Sequence, residues 1–136
     1  MKANTRLWTA QTVLAALFLF AGVSKLVMST AALEAQAHIS GDFLKFIGIC
    51  EALGAIGLIV PGLTKIRIEL TPLAAAGLVI IMIGAVVTSI IQGAGNAAAF
   101  PAVVGAIAFY VARGRWPKVT ETLHLQRSAP ALRRAA

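Results

Sequence analysis

Carboxylates, thiols and imidazoles are scarce in this chain. Five Asp and Glu residues, two histidines and one cysteine are spread over 136 positions. The single cysteine, Cys50, excludes an internal disulfide and any Cys-rich metal site. His38 and His124 have no metal-ligand partner at helical spacing. Phosphate loops, nucleophile elbows and dinucleotide fingerprints are absent as well. Charge of either sign is also short. Asp, Glu, Lys and Arg make up 12% of the chain, against about 25% in a soluble domain. Apolar residues take that place, at 59%, and they fall in long blocks, which is the signature of a membrane protein. The net charge of +7 does not signal nucleic acid, because the basic residues flank apolar blocks instead of forming a patch with interleaved aromatics.

A spanning helix needs about 20 mostly apolar residues, since the hydrocarbon core is ~30 Å thick and a helix rises ~1.5 Å per residue. Four segments meet this requirement, at about 7–28, 43–63, 72–91 and 96–112. Pro72 and Pro101 fall in the first turns of the third and fourth segments, where a missing N–H does least harm. Pro61 lies near the end of the second and helps to stop it. The connections are short, so sequential helices become antiparallel neighbours. The expected fold is an all-α membrane protein, a four-transmembrane-helix up-down bundle over residues 1–116, followed by a basic cytoplasmic tail over 117–136. Residues 31–37 can add a turn of interfacial helix between the first two spans. The tail is expected to be disordered or to lie on the membrane surface.

Lysine and arginine set the orientation. Lys2, Arg6, Lys65, Arg67, Arg113, Arg115, Lys118, Arg127, Arg133 and Arg134 all fall on one side of the expected bundle. The loops of the other side carry Glu34, His38 and Asp42 instead. The basic side, with both termini, is therefore expected to face the cytoplasm in a multi-pass protein of the cell's cytoplasmic (inner) membrane. Trp8 and Trp116 fall at that boundary, where indoles favour the interface. A cleaved signal peptide ending at Ala35–Ala37 is the competing reading of the first span. The apolar stretch is longer than the ~7–15 residues of a signal core, so the first span is expected to be retained.

Charged residues deep in a span are costly and carry a default functional hypothesis. Glu51 lies about eight residues, or ~12 Å, below the outer end of the second span, beyond the reach of a snorkelling glutamate. Lys25 lies about one turn from the outer end of the first span, and its stem can bend toward a partner. The two can pair across antiparallel neighbours. Ser24, Thr88, Ser89 and Gln92 also cluster toward the outer side. Together these six residues define a candidate intramembrane polar site, an outward-opening pocket in a bundle packed through small residues. Two plainer readings stand beside it. The ion pair can serve helix packing alone, and hydroxyls such as Ser24 and Thr88 can bond back to their own helix. Cys50, next to Glu51, reads as an inert apolar cysteine.

Three stretches of this sequence resemble the DoxX-like family of small four-helix membrane proteins. They are Ala-Gly-Val-Ser-Lys-Leu at 21–26, the run from Phe46 to Pro61 containing Cys-Glu-Ala-Leu-Gly, and Leu-Thr-Pro-Leu-Ala-Ala-Ala-Gly-Leu at 70–78 with Met-Ile-Gly-Ala at 82–85. The resemblance extends from about residue 7 to 113. It matches Lys25 and Glu51 to the family's recurrent charged positions. Some relatives are linked to quinone-dependent oxidoreductases, as small subunits or neighbours of redox partners. Relatives often carry a histidine near the outer end of the third helix, where this chain has Ser89, so an imidazole-dependent role is not carried over. The leading expectation is a non-catalytic subunit or accessory protein, with a quinone-linked oxidoreductase as the partner class the resemblance implies. No motif marks a cofactor, and quinone enters only through that resemblance. The lipid bilayer is the expected surrounding, a membrane redox partner or a second copy the expected protein contact, and nucleic acid is not expected. The alternative is a small proton-coupled transporter using Glu51. An enzyme acting alone ranks last.

Overall fold

The computed structural model describes residues 2–67 and 69–135. Met1, Ile68 of the charged loop and Ala136 of the tail lie outside the described residues. So do the side chains of Lys2, Lys118, Arg127, Arg133 and Arg134. All regular structure among the described residues is helical: α1 (Lys2–Val27), α2 (Thr30–Ala37), α3 (Gly41–Thr64), α4 (Leu70–Ile91) and α5 (Ala99–Ala135).

Hydropathy placed these helices and local chemistry sets their ends. α1 starts at Lys2 rather than near Leu7, because helix formation does not stop where the apolar run begins. The short α2 occupies the expected interfacial segment. Ser29 caps it by accepting from the Ala32 N–H at 3.3 Å, and His38, at φ 52°, closes its end with an N–H to the Glu34 carbonyl. Glu34 then turns its carboxylate to the Gly41 N–H at 2.9 Å, satisfying one of the open donors at the start of α3. α3 runs three residues past the buried Pro61 before Lys65 takes a left-handed conformation, at φ 57°.

Two expectations at the C-terminal side differ from the structure. The fourth helix starts at Ala99 instead of Asn96, because residues 92–98 fold as consecutive turns. Asn96 uses its side-chain carbonyl to accept from the Ala97 N–H, a local bond that competes with helix. The segment after residue 116 is helical, continuing α5 to Ala135. Arg, Leu, Ala, Glu and Gln dominate that segment, and all are good helix formers.

α1 packs on α3, α3 on α4, α4 on α5, and α5 returns to α1. Leu14, Phe18, Leu58, Leu78, Val104 and Val111 fill the centre. Large apolar side chains also cover the outside, Phe20, Ile80 and Phe100 among them. An outer surface of this kind belongs in lipid. Among the described residues three helical segments are long and apolar enough to cross a bilayer: Asn4–Val27, Gly41–Thr64 and Leu70–Ile91. The apolar start of α5 is shorter. Residues 99–112 precede Arg113, and they rise only about 21 Å.

α1 and α3 approach closely at two glycines. A Cβ on Gly22 would stand 2.6 Å from the Gly48 carbonyl oxygen, and one on Gly48 would stand 3.0 Å from the Lys25 Cβ. Backbone contact of this kind is what small residues permit between membrane helices.

Candidate functional site

The close crossing of α1 and α3 sets the site at the end of the bundle where α1 finishes and α3 begins. Gly48 lets the Lys25 stem lie against α3, and Glu51 is one turn further along the same face. The Lys25 Nζ donates to Glu51 Oε2 at 2.7 Å. The carboxylate side chain is 4% exposed and the lysine side chain 26%. The two sequence-nominated charges therefore meet as a close ion pair, with the acid sealed and the ammonium partly open. Charge-assisted bonds at this distance are among the stronger hydrogen bonds.

The other four nominated residues are committed elsewhere. The Ser24 hydroxyl donates to the Phe20 carbonyl at 2.7 Å, Thr88 to Gly84 at 2.8 Å and Ser89 to Ala85 at 2.9 Å. Each is a four-residue back-bond within its own helix, the plainer reading weighed above. Gln92 reaches across to the Ala37 carbonyl and ties the end of α4 to the end of α2. Lys25 and Glu51 are thus the nominated residues that bond to each other.

A second polar cluster, at the opposite end, escaped the sequence reading. Gln11 on α1 is 1% exposed. Its Nε2 donates to the Leu58 carbonyl on α3 at 2.6 Å, and its Oε1 accepts from the Arg115 Nε on α5 at 2.7 Å. Arg115 also donates through Nη1 to the Asn4 Oδ1 at 3.0 Å. Its guanidinium lies 5.4 Å from the centre of the Trp8 ring, within cation–π range. The Arg115 Nη2 is buried and makes no hydrogen bond among the described residues. Loss of water pulls the Arg115 pKa below its ordinary value, yet an arginine keeps its proton. Trp8 itself fits beneath α3 because Gly62 has no side chain, a Cβ there standing 2.9 Å from the indole. The signal that could have revealed this clasp is a glutamine inside an apolar span, which requires a partner on another helix.

Apolar helices with a lipid-ready exterior and one sealed intramembrane ion pair define a small multi-pass helical membrane protein. The chain belongs to the DoxX-like family, whose model matches residues 9–111. The matched region contains α1 from its third turn, the Lys25–Glu51 pair and the apolar part of α5. No match to the chain is found among curated proteins or among solved structures.

Proposed function

We propose that the protein is a non-catalytic accessory subunit of a membrane complex and that a quinone-linked oxidoreductase is its partner class. The observation that carries this reading is the closed Lys25–Glu51 pair. The Glu51 charge is already met by an ammonium at 2.7 Å, which suits a fixed polar element better than a carrier that must load and unload. The back-bonded hydroxyls of Ser24, Thr88 and Ser89 support the same view, because their donors are spent inside their own helices. The partly exposed Lys25 side chain suits a partner helix that offers a polar group at that depth. A quinone held at this end would find the same ammonium as its donor.

In this reading the chain crosses the cytoplasmic membrane four times with both termini inside. The short apolar part of α5 completes its crossing by tilt-free local thinning of the bilayer and by snorkelling of Arg113. The basic residues of the loop after α3 and of α5 give the cytoplasmic assignment.

The test is affinity purification of the full chain from its native membrane in mild detergent, followed by assay for quinol or quinone turnover. Co-purification with a redox enzyme, lost on Lys25→Met with Glu51→Gln, is the expected result. A protein always recovered alone, in cells whose quinone-linked respiration is unchanged by its deletion, overturns the reading. The burial of Glu51 in a span also favours a second reading, a small proton-coupled transporter. Proton-linked flux in proteoliposomes, abolished by Glu51→Gln, is its signature.

A further inference from the structure

On the lipid-facing side, α4 and α5 leave a groove of about 680 Å³ toward the basic end of the molecule. Ala76 and Ala112 form part of its lining, with Val79, Ile80, Phe109, Arg113 and Trp116. The alanines leave depth, and the larger side chains stand out beside them. Ile80 is 71% exposed, Phe109 56% and Trp116 53%. A narrow apolar channel with raised walls accommodates a hydrocarbon chain, while a partner helix would be held off by those walls.

The groove's charge is one-sided. Among the described residues Arg113 is its one charged lining residue, and it makes no hydrogen bond or ion pair with them. It lies one turn from Trp116 on α5, and indoles favour the level of lipid headgroups. An apolar channel that ends in an unpaired guanidinium beside an interfacial tryptophan is complementary to one molecule of the surrounding solvent. We propose that this groove binds an anionic phospholipid, with an acyl chain along Val79, Ile80 and Phe109 and the phosphate on Arg113. Basic pockets between membrane helices recognise anionic headgroups in this way, and the planar fork of arginine suits phosphate oxygens. The inference rests on the membrane placement of the chain and not on the accessory-subunit reading.

The experiment uses the full chain in phosphatidylcholine nanodiscs, with brominated phosphatidylglycerol or brominated phosphatidylcholine titrated in. Bromine on the acyl chain quenches tryptophan on contact, and subtraction of a Trp116→Phe sample isolates the Trp116 signal from that of Trp8. Brominated phosphatidylglycerol should half-quench Trp116 at about one-fifth the mole fraction that brominated phosphatidylcholine requires, the worth of about one basic residue at an anionic surface. Arg113→Gln should remove that preference. Arg6→Gln, which removes the same charge from an exposed position at the same end, should retain it. Helical content by circular dichroism checks that each variant is folded. Equal quenching by the two lipids in the unaltered protein overturns the proposal. So does a preference that survives Arg113→Gln, or one that Arg6→Gln reduces as much, which would indicate a general field. A Trp116 that neither lipid reaches, in a protein that elutes as a dimer, assigns the groove to a second copy and also overturns it.

Discussion

The two ends of the bundle solve the problem of polar groups in lipid by different means. At one end two opposite charges cancel across one helix pair, Lys25 on α1 and Glu51 on α3. At the other end one positive charge, Arg115, has no carboxylate partner among the described residues. It is shared among the amides of Gln11 and Asn4 and the face of Trp8, and the cluster joins α1, α3 and α5. The difference follows from depth. Far from water an unbalanced charge is prohibitive, so charge must meet charge. Near the headgroups a cation is tolerable, and neutral groups can orient it. The Lys25 end is therefore a single strong link that fails if either half is removed, and the Arg115 end a distributed set of weaker links.

Four substitutions probe that contrast. Lys25→Met should have the largest effect, because it leaves the Glu51 carboxyl without its partner in a site that is 4% exposed. The cost should be about 3–5 kcal/mol, read as a fall in the unfolding midpoint in mild detergent. Adding Glu51→Gln should restore most of it. A double variant no more stable than the single one would show that charge balance is not what joins the two helices. Gln11→Leu should rank second. It strips the Leu58 carbonyl and the Arg115 Nε of their partners at once, at about 1–3 kcal/mol. A change in Trp8 emission should accompany it, since Arg115 loses one of its two anchors. Stability equal to that of the parent would mean that the Arg115 cluster is incidental. Ser24→Ala should matter least, within about 0.5 kcal/mol, because its hydroxyl bonds only its own helix. A loss several times larger would tie Ser24 to the neighbouring ion pair and would make the Lys25 end a network too.

The sequence made the Lys25–Glu51 pair readable for a physical reason. A glutamate in an apolar run breaks the pattern loudly, and short connections leave few helices for it to face. Lys25 on the preceding helix was the natural partner, and the structure pairs them. Which way hydroxyls turn is not written at that scale. Ser24, Thr88 and Ser89 lie near the C-terminal ends of α1 and α4, but each takes the nearer carbonyl four residues back. Gln11 was quieter still. One neutral amide among the apolar residues of α1 barely changes the hydropathy, and its partners lie 47 and 104 positions away in the chain. The extent of α5 was the remaining surprise. Hydropathy marks where lipid ends and not where helix ends, so a helix built from Arg, Ala, Leu and Glu passes the boundary without a trace in that signal.

The crossing of Gly22 with Gly48 turns α1 and α3 into a pair of unequal levers. Their backbones touch there, so the crossing acts as a pivot. The Gln11–Leu58 bond clamps the long arm about 16 Å away, and the Lys25–Glu51 bond sits about 4.5 Å along the short one. A slip of about 1 Å at the clamp swings the crossing by roughly 4°, and the same swing moves the ion pair by only about 0.3 Å. A displacement at the Gln11 end therefore reaches the charges beyond the pivot reduced more than threefold.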